Sequence, residues 1–402
     1  MNTVFSNEPS LLVCTCSSGI APILANEITE LGFKVSNVYE SAVETEGTLA
    51  DCMRLNLYLR TAHRVLYALD KFKARNGDAL YDEPVQIPWE RYLDPDGYFT
   101  VDRAVSNPTI HNSQFASLNV KDAIADRMRS QCGRRPNSGN ERTDACVFLH
   151  WFGDQATIYL DTTGQSLSFR GYRGVSSEAP LRESLAAALV LSSGWNRRGT
   201  FLNPMCGCGT LAIEALWIAQ DRAPALLRDN FAFQHLVCYE PSLFTDLRGE
   251  AIKRYQAGKN VSCAILASDI DAAMVRATTG NAEIAEAEGR IAVETCDVAE
   301  SPHPATPERG TAILNPPYGG RIGDPARLRE TYEAIGSFLA DAAADGYDGF
   351  VLTGNPELSE AAGLHSDRVR SFFSGDLECQ FLENPVLAPE ALRRFRRRAL
   401  RG

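Results

Sequence analysis

The pattern of apolar and polar positions along this 402-residue chain changes character near Gly164. Before it, short apolar runs are mixed with helical stretches. Residues 11–16 (LLVCTC) read as a strand, and 21–31 (APILANEITEL) as an amphipathic helix opened by Pro22 and stopped by Gly32. Residues 34–49 alternate in strand fashion around turns, 50–59 are helical, and 63–72 (HRVLYALDKF) return to strand. YFTVDRAVS (98–106) alternates again, and Leu118, Val120, Ile124 and Met128 recur at helical spacing. ACVFLHWFG and ATIYLDTTG then form a hairpin about Asp154-Gln155. Helices and paired strands intermixed in this way predict an α+β region, with one or two small antiparallel sheets carrying helices on a face.

After Gly164 a strong helix (181–195) is followed by a regular alternation. The strands GTFLN, ILASDI, IAVETC, GTAILN and GFVLTG are separated by helical segments. That alternation predicts a doubly wound, mostly parallel sheet. RVRSFFSGDLECQFLE (368–383) turns about Ser374-Gly375-Asp376, so the sheet should end in an antiparallel hairpin. The expected organisation is an N-terminal α+β region over 1–165, a Rossmann-like α/β domain over 166–388 and an arginine-rich tail over 389–402.

Composition narrows the class. No apolar run approaches the roughly 18 residues needed to span a bilayer, and the first residues carry no basic segment of a secretion signal. Eleven scattered cysteines fit a reducing compartment, so a cytoplasmic protein with no membrane partner is expected. A net charge of −11 argues against a surface that coats nucleic acid generically. Local basic clusters remain: Arg127, Arg129, Arg134 and Arg135, and a terminal set that includes Arg397. Alone, such runs read equally well as solvated helix faces.

The candidate chemistry lies at the ends of the predicted parallel strands. After GTFLN comes a turn, Asn203-Pro204-Met205-Cys206-Gly207-Cys208-Gly209-Thr210, and then a helix. Glycines there let the backbone approach a ligand, and the helix start offers N–H groups. The spacing is not G-x-G-x-x-G and lacks a P-loop Lys-Ser/Thr pair, which disfavours dinucleotide or ATP binding. Asp269 ends the second strand, where a carboxylate reaches ribose hydroxyls, and Asp297 ends the third, placed to accept from an exocyclic amine. The fourth ends in Asn315-Pro316-Pro317-Tyr318. Two consecutive prolines cannot extend a ladder, so one carboxamide and one ring are held stiffly at a strand end. The inferred ligand is an adenosine derivative carrying an electrophilic methyl on sulfonium, and the fourth strand acts on an –NH2 beside it. The Asn315 oxygen and Pro316 carbonyl would accept the two amine hydrogens. Tyr318 would stack on a flat substrate, worth about 1–3 kcal/mol per base. The pairs Cys14/Cys16 and Cys206/Cys208 match no standard zinc spacing, and no metal is expected.

These motifs carry a resemblance. LNPMCGCGTLAIEAL and LNPPYGGRIG, with the segment from LDTTGQSLSFRGYRG to LSSGW, are similar to the THUMP-containing RNA guanine-N2 methyltransferases. Within that family the chain is most similar to the N-terminal half of bacterial large-subunit rRNA methyltransferases of the K/L type. TIHNSQFASLNVKDAIADRM resembles the family's THUMP segment, and LLVCTCSSGIAPILANEITELGF its ferredoxin-like piece. The resemblance implies a class I methyltransferase fold preceded by a ferredoxin-like/THUMP region, S-adenosylmethionine as cofactor, and RNA as substrate, foremost 23S-type rRNA with tRNA second. It assigns the 203–210 turn, Asp269 and Asp297 to the cofactor and 315–318 to the target guanine. Arg127, Arg129, Arg134, Arg135 and Arg397 become candidate RNA contacts. A separate methyltransferase partner would supply the family's second half. The family usually has Asp where this chain has Asn203 and Ser where it has Cys208, which implies weaker cofactor binding, or in the extreme a silent RNA-binding assembly factor.

Overall fold

The computed structural model describes residues 8–110, 112–176, 180–305, 308–319 and 325–399. Packing divides the chain into two compact units. The first comprises Met1–Cys16, Leu24–Phe169 and Pro224–Ala251, and the second Ser17–Ile23, Arg170–Ala223 and Ile252–Gly402.

In the first unit the strands β1 (Ser10–Thr15), β2 (Asn37–Val38), β3 (Ala42–Gly47), β4 (Arg64–Lys73), β5 (Tyr98–Ser106), β6 (Asn137–Gly139), β7 (Ala145–Phe152) and β8 (Gln155–Asp161) form one sheet. Their order is β2-β3-β1-β4-β8-β7-β5-β6. The patterning predicts small antiparallel sheets. The structure instead has one continuous sheet in which β5 runs parallel to both β6 and β7. The reason is the connection: the 20-residue helix α4 (Ser113–Cys132) lies between β5 and these partners, and a crossover of that length returns the chain in the same direction. The shorter helices α1 (Ala21–Glu30), α2 (Leu49–Tyr58) and α3 (Ala79–Asp82) complete the set. Helix α2 opens with a reciprocal capping box between Thr48 and Asp51. Helix α4 starts at Asn112, whose side chain accepts from Gln114 N, and stops at left-handed Gly133. Its buried stripe is Ala116, Val120, Ala123, Ile124 and Met128; Leu118, expected on that stripe, is 52% exposed.

In the second unit β9 (Phe201–Pro204), β10 (Ile265–Asp269), β11 (Ile291–Thr295), β12 (Gly310–Leu314) and β13 (Tyr347–Thr353) pair in parallel. A two-stranded ladder, β14 (Leu364–His365) with β17 (Val386–Leu387), stands apart from them. Antiparallel β15 (Arg368–Ser374) and β16 (Leu377–Glu383) extend the main sheet, giving the order β11-β10-β9-β12-β13-β16-β15. This is the doubly wound sheet ending in a hairpin that the patterning predicts. Chain order reverses between β9 and β12, which is where open α/β sheets hold ligands. The helices are α5 (Glu183–Ser192), α6 (Thr210–Ala219), the end of α7 (Pro241–Gly258, of which Pro241–Ala251 belongs to the first unit), α8 (Ala272–Ile284), α9 (Pro325–Ala344), α10 (Pro356–Ala362) and α11 (Pro389–Ala399). Leu202, Ala312, Leu314, Tyr332, Ile335, Phe338 and Val351 form the core beneath the β9–β12–β13 strands. The arginine-rich end is helix α11, which buries Ala391 and pairs Arg394 with Glu333 and Arg396 with Asp341 of α9. Among the described residues no helix is long and apolar enough to cross a membrane.

Candidate active site

Strands β9 and β12 pair only at Phe201–Thr311 and Leu202–Ala312, then part. The Asn203 side chain sits in that parting, 1% exposed, and its Nδ2 donates to the Ile313 carbonyl at 3.0 Å. A carbonyl only accepts, so the amide nitrogen must face it. Asn203 Oδ1 is thereby turned to the other side, buried and without a hydrogen-bond partner among the described residues. A buried unpaired acceptor costs about 1–3 kcal/mol, so a ligand presenting an N–H donor here would relieve a standing penalty.

The following turn is built for close approach. Met205, Gly207 and Gly209 all have positive φ (59°, 55° and 85°). A Cβ on Gly207 would point into open space, whereas one on Gly209 would lie 2.7 Å from Thr278 Cγ2. The first glycine leaves room for a ligand, and the second lets α8 pack on the turn. Cys206 N donates to Ser268 O at 2.9 Å, tying the turn to β10. Asp269 Oδ2 accepts from Gly207 N at 2.9 Å and its Oδ1 from Asp271 N at 3.0 Å. Each oxygen keeps a lone pair for a hydroxyl. Cys296 N donates to Asp269 O, which brings the end of β11 alongside, and the exposed Asp297 caps Ala299 N at 2.9 Å. The turn, Asp269 and Asp297 are therefore brought together as the strand-end reading requires. Cys206 and Cys208 pack inward, with sulfurs 3.5 Å from Thr278 Oγ1 and 3.6 Å from Thr210 Oγ1. Burial pushes the Cys206 thiol up to about 12.

Asn315 follows β12 directly. The Tyr318 hydroxyl donates to Asn315 Oδ1, Pro316 is buried and Pro317 exposed. Burial, with the Cys379 thiol beside it, pushes the Tyr318 hydroxyl well up, so it stays a neutral donor. The Asn315 oxygen retains a second lone pair for another N–H.

Several residues that hold this site carry no signal in the sequence. Thr278 Oγ1 donates to Gly207 O at 2.8 Å, and Asn281 Nδ2 donates to Cys208 O at 2.9 Å, both from α8. Arg173 bridges Glu183 (3.0 Å) and Thr210 Oγ1 (3.2 Å) at the start of α6. Beneath it Arg170 and Glu214 form a wholly buried ion pair, joined by the Tyr172 hydroxyl. Ile270, 69% exposed, offers an apolar surface next to Asp269; an exposed isoleucine after a strand-end acid was the available clue.

The RNA candidates in the first unit are mostly paired. Arg127 makes a bidentate contact with Glu90 (2.6 and 3.1 Å), Arg129 pairs with Asp126 at 2.8 Å and Arg134 with Asp96 at 2.6 Å. Arg129 and exposed Arg135 share a groove with Tyr81, Leu118 and Lys121, and with the carboxylates of Asp122 and Asp126. Arg397 is exposed on α11.

Comparison with known proteins accords with this geometry. Residues 170–383, more than half of the chain, match the model of the RMKL-like methyltransferase domain. The chain belongs to this methyltransferase family. Residues 11–66 match the RlmL ferredoxin-like domain and 74–161 the THUMP domain. Ribosomal RNA large subunit methyltransferase K/L of Syntrophotalea carbinolica is 35% identical over 384 residues, covering 94% of this chain and 53% of that protein. The chain thus spans about half the length of the curated relatives it matches. Among solved structures, the SAH complex of the protein SMU.472 superposes with a TM-score of 0.83 at 28% identity, over 94% of this chain and 98% of that one. A protein from Listeria monocytogenes str. 4b F2365, named a predicted N6-adenine-specific DNA methylase, gives a TM-score of 0.83 at 30% identity, over 95% and 97%.

Proposed function

We propose that this chain transfers a methyl group from S-adenosylmethionine to the exocyclic N2 amine of a guanine in RNA, foremost large-subunit rRNA. The observation that carries this reading is the pair of carboxamide acceptors at neighbouring strand ends: Asn203 Oδ1, buried and unpartnered, and Asn315 Oδ1, with a lone pair to spare. The first fits an ammonium and the second an aromatic amine.

The cofactor supplies an electrophilic methyl carbon on a sulfonium sulfur. Asn203 Oδ1 would accept from its ammonium, Gly207 would admit it against the backbone, Asp269 would take the ribose hydroxyls and Asp297 the adenine amine, with Ile270 against the ring. At β12, Asn315 Oδ1 and the Pro316 carbonyl accept the two hydrogens of the target amine. A guanine N2 is a poor nucleophile because its lone pair is delocalised; fixing both hydrogens favours a pyramidal nitrogen with that pair aimed at the methyl carbon. Bound here, the cofactor would supply the methyl group with its sulfur keeping the bonding pair, and the amine proton would leave to water. Tyr318 stacks on the base, and the two prolines hold these groups in advance, which makes the transfer effectively unimolecular.

RNA as substrate is supported by the ferredoxin-like and THUMP matches and by the K/L relatives. Arg135, the Arg129 groove and Arg397 are the proposed phosphate contacts, with Arg127 and Arg134 able to join them by exchanging acidic partners. A paired guanine cannot reach the pocket, so the target is unpaired or flipped.

The test incubates the chain with labelled S-adenosylmethionine and RNA from cells lacking it, followed by nucleoside analysis of rRNA and tRNA separately. N2-methylguanosine in large-subunit rRNA, absent with Asn315→Ala, is the expected result. The same product in tRNA moves the substrate, and N6-methyladenosine changes the base. No transfer, with no cofactor binding, refutes the enzyme and leaves a silent RNA-binding assembly factor.

A further inference from the structure

Gly354, after β13, is a glycine for steric reasons. Its φ lies outside the left-handed region, so backbone strain does not require it. A Cβ there would stand 2.8 Å from Tyr318 Cδ2 and 3.1 Å from Tyr318 Cγ, with Leu377 Cδ2 at 2.7 Å. Ordinary contacts of a Cβ begin near 3.4 Å. The Tyr318 ring fills the space a side chain would take. The next residue reaches the same tyrosine: Asn355 Nδ2 donates to the Tyr318 carbonyl at 3.1 Å. Its Oδ1 accepts from Leu358 N at 3.0 Å, capping α10, and its own N–H donates to Thr353 Oγ1 at 3.1 Å. Thr353 Oγ1 in turn lies 2.8 Å from the Tyr332 hydroxyl, with both residues wholly buried. Tyr318 thus sits in a socket anchored in the core, and its hydroxyl donates to Asn315 Oδ1.

We propose that Gly354 and Asn355 are positioning residues for the amine-binding motif: they seat the Tyr318 ring and backbone, and through the Tyr318 hydroxyl they fix which way the Asn315 carboxamide faces. The inference rests on the amine-methylating reading of the same site. Its physical content is that an Asn amide rotated by half a turn presents N–H donors instead of an acceptor, and would repel the target amine. A hydroxyl of fixed place could also accept from a reversed amide, but its own proton would then have only the Cys379 thiol beside it, a weak acceptor, so donation to Asn315 Oδ1 biases the carboxamide against the rotation. The second lone pair of Asn315 Oδ1 remains for the substrate.

The test is a double-mutant cycle on the full chain. Gly354→Ala pushes the ring aside by several tenths of an ångström and should lower kcat roughly 100-fold while cofactor KM holds, since sub-ångström misplacement is paid in the chemical step. In a Tyr318→Ala background the same substitution should cost less than about twofold. Asn355→Asp keeps the cap on Leu358 and removes the donor to Tyr318; it should lower kcat roughly 10-fold, and less than about twofold beside Tyr318→Ala. Equal losses with and without Tyr318 overturn the proposal. A second readout follows the ring without catalysis: the ¹⁹F resonance of 3-fluorotyrosine-labelled protein, identified by its loss in Tyr318→Phe. It should shift in Gly354→Ala and Asn355→Asp. An unmoved resonance in both overturns the socket even if the wild-type chain methylates RNA. A shifted resonance in a chain that methylates no RNA supports the socket and refutes the reaction instead.

Discussion

Asn203→Asp tests the cofactor reading at its most exposed point, because it should do two opposite things at once. The amide nitrogen that donates to Ile313 O disappears, and a carboxylate oxygen is turned toward that carbonyl at a position 1% exposed. Losing the bond and leaving the carbonyl unpaired costs about 1–3 kcal/mol in the ligand-free protein. Protonation softens the loss, since a neutral carboxyl can donate to Ile313 O; burial therefore raises the introduced group above the ordinary carboxylate range of about 4. In the complex the balance reverses. A hydrogen bond from ammonium to carboxylate is roughly twice as strong as one to a neutral amide oxygen. A gain of about 1 kcal/mol is expected, which is five- to tenfold in Kd.

The signs give a pH signature. An acid whose pKa is raised by folding stabilises the protein below its unfolded pKa and loses that contribution as pH rises through the folded one. The ligand-free variant should therefore lose Tm from acid toward neutral pH, while its affinity for S-adenosylmethionine climbs over the same window and then levels. Wild type, with an amide, has neither trend from this site. Calorimetric titration and thermal melts between about pH 5 and 9 measure both. If the variant binds the cofactor no tighter than wild type at any pH in that range, Asn203 Oδ1 does not face the ammonium and the assignment fails.

Three further outcomes are expected. The Arg127–Glu90 pair holds the Glu90 carboxyl below its usual range, so its stabilisation is present above about pH 4.5 and lost as pH falls through the lowered value. Arg127→Ala should cost up to about 1 kcal/mol in urea melts at neutral pH and almost nothing near pH 3. With its thiol pushed up to about 12 by burial, Cys206 should escape iodoacetamide in the folded protein at pH 8 despite lying in the cofactor turn, as peptide mass spectrometry would show. Arg397→Ala should weaken RNA binding evenly across sequences and reduce the slope of log affinity against log salt by about 1, measured by fluorescence anisotropy.

The doubly wound unit was legible because each of its central strands is a short apolar run with a helix after it, and because Asn203, Asp269, Asp297 and Asn315 interrupt that pattern at the strand ends. The structure brings the first three to one edge and places Asn315 just after β12, the strand that neighbours β9. The packing that holds the turn was not legible. Thr278 and Asn281 lie on α8, 71 and 73 residues from the carbonyls they bind. A small polar residue facing inward from a helix looks in sequence like any surface position. The parallel pairing of β5 was missed for a related reason: period-two alternation reports a half-buried strand and says nothing about its partner or direction.

The two asparagines are held in different ways, and this bears on the steps each can serve. Asn203 is fixed by the sheet itself, wedged where β9 leaves β12, and is suited to a ligand that docks the same way each time. Asn315 lies just beyond β12, half-buried and oriented by a side chain of its own loop, which suits a base delivered from a large RNA by flipping. They are nonetheless coupled, because the carbonyl that holds Asn203 belongs to Ile313 of β12, two residues before Asn315. A change that displaces Ile313 must move Asn315 as well. Asn203→Asp should therefore separate binding from chemistry: tighter cofactor affinity together with a lower kcat, the loss growing with pH as the introduced carboxylate repels the Ile313 carbonyl. An unchanged kcat would mean that the end of β12 is stiff enough to isolate the two sites.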